Sequence, residues 1–114
     1  MRTPTLDDLA HALNQIEGVT ARVYARHFQP DSGTLVIDHL DRRLEVEHHE
    51  CCPGEFVAVL WDEDRVIDDE VTFESWRYGS IAAFSTHVFS VLTRPTLEVI
   101  KRAIERKNNP WNAS

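Results

Sequence analysis

Glycine is scarce in this chain, four residues in 114, and no two of them cluster. A phosphate-cradling loop needs neighbouring glycines so that backbone N–H groups can approach the ligand, and a nucleotide site of that kind is not expected. Cysteine is scarcer still: only Cys51 and Cys52, adjacent in sequence. Two neighbouring thiols chelate a metal poorly, and no second Cys pair supplies the paired spacing of a structural zinc site. No apolar run approaches the ~20 residues that cross a bilayer. The opening Met1-Arg2-Thr3-Pro4-Thr5 leads into a charged amphipathic segment rather than an apolar signal core, so the expected compartment is the cytoplasm, with both thiols reduced. G-x-S-x-G, Walker and H-E-x-x-H patterns are all missing. Repeats, low-complexity tracts and linkers are missing too.

What is present is ordinary in amount and uneven in distribution. A hydrophobic fraction of 42% and a charged fraction of 27% suit one globular domain spanning residues 1–114. The formal net charge is −7. That sign disfavours direct contact with nucleic acid or an anionic membrane and is compatible with a basic protein partner.

The most hydrophobic uninterrupted stretch is Glu55-Phe56-Val57-Ala58-Val59-Leu60-Trp61. Its length and its β-branched and aromatic content predict a strand. Phe56, Ala58 and Leu60 point one way, Val57, Val59 and Trp61 the other. Both sets are apolar, which predicts an interior strand covered on both faces. Around it, Leu6, Leu9, Ala10, Leu13 and Ile16 recur at helical spacing, with Thr5 as the cap and Gly18 as the stop. Val19 to Phe28 alternates with period two, Gln29 to Gly33 has turn residues, and Thr34 to Leu40 reads as the return strand. Asp41-Arg42 reverses the chain into Arg43 to His48. Val66 to Trp76 reads as extended but broken at Asp68-Asp69-Glu70, leaving a short strand over Val71 to Ser75. Ser80 to Leu92 fits a helix through Ile81, Phe84, Val88, Val91 and Leu92, although Thr86 to Thr93 also has strand character. A last helix opens after Thr93-Arg94-Pro95, with Leu97, Ile100, Ala103 and Ile104 inward. The expected fold is therefore α+β: an N-terminal helix, an antiparallel meander of four to five strands, and two C-terminal helices packed on one face.

Three features could carry function. Between Asp62 and Glu74 stand seven acidic residues against the single Arg65. A run of this kind is either a solvated surface or a patch that docks on a basic partner. The candidate partner-binding set is Asp62, Glu63, Asp64, Asp68, Asp69, Glu70 and Glu74, with Trp76 and Tyr78 as aromatic neighbours. Trp61, Phe73 and Trp111 are further aromatics near or suited to such a surface. The acidic run lacks the glycine and terminal glutamate of a calcium loop. The second feature is His48-His49-Glu50-Cys51-Cys52, where His48 and Cys51 could act with His39 or His87 on a metal. A thiol in this loop could also pair with His87 in catalysis. The third feature, Glu45 and Glu47 alternating with apolar residues, marks a solvent face. No catalytic set, cofactor or metal is assigned from these residues.

The expected function is a non-catalytic protein-binding domain, a small acidic inhibitor of toxin-immunity or phage anti-defence type that blocks a basic surface, such as that of a nucleic-acid-binding enzyme or toxin. The alternatives are a homo-oligomeric structural or adaptor subunit, with a homodimer compatible, and a small thiol- or metal-dependent enzyme built on the Cys51-Cys52 loop.

Overall fold

The computed structural model describes residues 4–26, 29–49 and 52–108, with the backbone alone at 25, 26 and 29–32. Chain order is α1 (Leu6–Leu13), β1 (Thr20–Arg26), β2 (Gln29–His39), β3 (Arg42–His48), β4 (Glu55–Asp62), β5 (Arg65–Glu74), a 3-10 turn at Ser75–Arg77, α2 (Ile81–Leu92) and α3 (Thr96–Asn108). The five strands form one antiparallel sheet in sequential order. The N-terminal helix, the meander and the two C-terminal helices are as the patterning predicts. Trp111 lies outside the described residues.

Local chemistry starts the first two helices. Thr5 accepts from the Asp8 N–H and Asp8 returns a bond to the Thr5 N–H, a reciprocal capping box. Ser80 accepts from the Ala83 N–H at 3.1 Å, which settles Ile81–Leu92 as helix despite its β-branched end. The core forms between one sheet face and the helices. Leu35, Ile37, Leu44, Val46, Phe56, Ala58, Leu60, Val71 and Phe73 meet Leu6, Leu9, Leu13, Phe84, Val88 and Leu92. Phe84 lies against Phe56, Phe73 and Tyr78, with ring centroids 5.6, 6.1 and 5.2 Å away. Phe56, Phe73 and Phe84 are fully buried, and each stabilises the fold by about 2–3 kcal/mol, while Tyr78 is only half-buried.

Four expectations need correction. The second face of β4 is only half-covered: Val57, Val59 and Trp61 are intermediate in exposure. The pairing sets Glu47 opposite Val57, Glu45 opposite Val59 and Arg43 opposite Trp61, so long side chains shade this face where no helix does. Residues 29–33 belong to β2 rather than to a turn. The β1–β2 register shifts between Ala25 and Arg26, and β3 pairs with β2 only as far as Thr34, so Pro30 and Gly33 fall where the ladder is irregular and one-sided. The acidic break in β5 is a bulge inside one continuous strand: Ala58 pairs with Val71 and Leu60 with Asp68, leaving Asp69 and Glu70 opposite Val59 alone. Finally, α3 docks through Val99 (2% exposed), while Leu97, Ile100 and Ile104 are exposed.

Both sheet edges are occupied in ways that discourage pairing with another strand. The Asn14 side chain donates to the Ala21 carbonyl at 2.9 Å and accepts from its N–H at 2.8 Å, imitating a neighbour for β1. On β5 the bulge and the exposed Asp69 and Glu70 serve that purpose. Among the described residues, no helix is long and apolar enough to cross a membrane.

Candidate binding notch at the hairpin end

In a meander, alternate turns gather at the same end of the sheet. The β2–β3 and β4–β5 reversals are both two-residue loops, Leu40-Asp41 and Glu63-Asp64, each with a left-handed first residue (φ 53° and 55°). The two loops are tied together, because the Glu63 N–H donates to the Asp41 carbonyl at 2.7 Å. Between them and the open sheet face lies a notch of about 610 Å³, lined by Asp38, Leu40, Asp41, Arg42, Arg43, Glu45, Trp61, Glu63 and Asp64.

Its electrostatics are one-sided. Arg43 is committed to Asp38, with Nε 2.7 Å from Oδ1, and that carboxylate raises the guanidinium pKa above its ordinary value. Arg42 turns toward the helices. It donates to the Leu92 carbonyl at 3.2 Å and to Thr96 Oγ1 at 2.7 Å, and its Nε lies 3.7 Å from Asp62 Oδ1. A cation at the last carbonyls of α2 is also favoured by the helix dipole. Asp41, Glu45, Glu63 and Asp64 make no ion pair among the described residues, so the lining keeps an excess of negative charge. Trp61 adds apolar surface, and its indole N–H is buried without an acceptor among the described residues. Leu40 is 89% exposed in a backbone conformation that costs a branched L-residue about 1 kcal/mol.

The acidic run thus divides. Glu63 and Asp64 reach the notch. Asp62 lies on the helical side, accepting from Thr96 Oγ1 at 3.0 Å. Asp68 is 8% exposed and receives both guanidinium nitrogens of Arg106, at 2.9 and 3.1 Å. Burial pushes its pKa up, but Arg106 and the Glu70 N–H hold it below the ordinary value. Asp69 and Glu70 stand at the β5 edge, and Glu74 pairs with Arg77. Trp76 is exposed and Tyr78 stacks on Phe84, both at the far end of β5 from the notch, while Phe73 is core. Asp38, Asp41, Glu45 and Leu40 were not singled out for binding from sequence. The available signal was the Asp41-Arg42 reversal, since a meander brings that turn beside the next but one.

Several sequence candidates have structural roles. His39 meets the Gly18 carbonyl at 3.1 Å and lies edge-on to Phe89. His48 lies against Phe56. His87 sits beside Phe73 and Tyr78, and burial, then the charge of Arg94, lowers its pKa. Cys51 is outside the described residues. A second cleft of about 450 Å³, between α1 and the start of α2, has Asp8 as its only carboxylate among the described residues, and that group is engaged at the Thr5 N–H.

The notch carboxylates do not converge tightly enough to form a metal-type cluster. Spread acids beside an indole suit an arginine or lysine side chain, whose stem packs on the ring while its head meets oxygens. The chain matches no protein-family model, no curated protein and no solved structure.

Proposed function

We propose that this chain is a non-catalytic protein-binding domain that receives a cationic side chain of a basic partner in the notch between its β2–β3 and β4–β5 turns. The carrying observation is the set Asp41, Glu45, Glu63 and Asp64, none of them in an ion pair among the described residues, around Trp61 and the exposed Leu40. The finer reading is an acidic inhibitor of toxin-immunity or phage anti-defence type. It would cover a basic active surface, with Leu40 and Trp61 as anchors and the excess charge accelerating encounter. Leu40 supports this reading, since a strained, exposed leucine contributes nothing to the core.

A titration with an arginine-rich peptide at low ionic strength, followed by amide and indole NMR signals, tests it. The expected result is saturable movement of Trp61, Asp41 and Glu63, suppressed by salt, with Trp76 unmoved. Shifts spread evenly along β5, or none, would remove the notch reading.

A second reading rests on a separate observation. Leu97, Ile100 and Ile104 form an exposed apolar stripe on α3, which supports a homo-oligomeric subunit. Under that reading sedimentation gives a dimer that Ile104→Glu dissociates. A monomer near 13.1 kDa at every concentration rules it out.

A further inference from the structure

The β3–β4 loop, at the opposite end of the sheet from the notch, brings three different metal-ligand types together. His49, Cys52 and Glu55 each place a donor atom within 4.8 Å of the other two, and all three residues are half-buried. We propose that these side chains form a Zn²⁺ site, with an imidazole nitrogen, the Cys52 thiolate and a Glu55 carboxylate oxygen as its protein ligands.

The spacing is His-x2-Cys-x2-Glu. A two-residue spacer is the short chelating separation used in loop-borne zinc sites. The adjacency of Cys51 and Cys52, which argues against a paired-thiol site, does not matter when the partners of Cys52 are a histidine before it and a glutamate after it. Backbone bonds tie the described residues of the loop together. His49 N–H donates to the Glu55 carbonyl at 2.9 Å, and Glu55 N–H donates to the Cys52 carbonyl at 3.0 Å. Between them Gly54 has φ +85°, and its carbonyl accepts from both the N–H and the hydroxyl of Ser75, at 2.9 and 2.7 Å.

Tetrahedral zinc at ordinary bond lengths holds its donors about 3.3–3.7 Å apart, a small side-chain adjustment from a cluster of this size. Thiolate and carboxylate together neutralise a divalent ion. The thiolate selects against Ca²⁺ and Mg²⁺, which prefer all-oxygen shells, and favours Zn²⁺. Three protein donors leave one coordination position for water. Because binding displaces the thiol proton, uptake weakens as pH falls. The site shares no residue with the notch and stands or falls apart from it.

The test is titration of the metal-free full chain with Co²⁺, followed by displacement with Zn²⁺ against a chromophoric competitor, with circular dichroism to confirm that each variant is folded. The expected result is one equivalent per chain and a sulfur-to-cobalt charge-transfer band that Zn²⁺ abolishes. Cys52→Ser should remove the band, with Cys52→Ala as a second variant should the serine perturb packing. His49→Gln and Glu55→Gln should each weaken Zn²⁺ at least about 10-fold. The assignment is overturned by the absence of stoichiometric uptake, by a full band in folded Cys52→Ser or Cys52→Ala, or by unchanged affinity in either His49→Gln or Glu55→Gln.

Discussion

Asp68 and Leu40 are opposite uses of a residue in a small sheet. Asp68 is inside, and its charge is tolerated because both guanidinium nitrogens of Arg106 and the Glu70 N–H reach it. Asp68→Asn leaves Arg106 (side chain 27% exposed) partly unpaired, and unfolding by denaturant at neutral pH should show a loss of about 1–3 kcal/mol. The folded pKa of Asp68 is depressed, so its contribution is present above the unfolded carboxylate value near 4 and disappears as pH falls through the folded value. The wild type should therefore lose stability faster than Asp68→Asn as the pH falls below about 4. His87 adds a slope elsewhere. Its folded pKa is lowered, so the unfolded chain takes up its proton first and stability declines as pH drops below about 6.5. Leu40 is outside, in a left-handed conformation, where asparagine is more comfortable. Leu40→Asn should raise stability by about 0.5 kcal/mol while weakening partner capture. A gain in both would show that Leu40 is not an anchor.

At the scale of elements, the turns and docking faces separate what the sequence makes legible from what it does not. Period-two alternation over Thr34 to Leu40 and Arg43 to His48, and helical spacing over Leu6 to Leu13, reflect one-sided burial, and the structure has that burial. The full length of β5 was hidden because a bulge breaks alternation at Asp69-Glu70 without breaking the strand. The seat of α3 was hidden because Val99 and the Leu97-Ile100-Ile104 row are both apolar, and spacing alone cannot say which meets the sheet. Val99→Ala should cost about 1–3 kcal/mol, and Ile104→Glu under about 0.5, in a chemical unfolding series. The reverse order would reseat the helix. Gly54 is the sharpest local test of the β3–β4 loop. A Cβ there would stand 3.0 Å from Ser75 Oγ and 3.3 Å from a Trp76 ring carbon, on a left-handed backbone. Gly54→Ala should destabilise by about 1–2 kcal/mol in the same assay. The notch was only half legible, since Glu63 and Asp64 stand out as charge while Asp38 and Asp41 join them only through strand order.

For the molecule as a whole, the net charge of −7 is divided between uses. Asp68 and Glu74 are tied within the fold, Asp69 and Glu70 mark an edge, and Asp41, Glu45, Glu63 and Asp64 face outward together. A general preference for basic surfaces would draw on all of the exposed acids, whereas recognition at the notch draws on the last group alone. Affinity capture from a lysate of the native source separates the two most directly. Three baits are compared at low and high salt: the wild type, an Asp41→Lys/Glu63→Lys/Asp64→Lys variant, and an Asp69→Lys/Glu70→Lys variant. A basic protein held by the wild type and the edge variant, released by salt and lost from the notch variant, is the predicted result. Equal retention on all three baits, or retention of nothing but the chain itself, would contradict the notch as the binding surface.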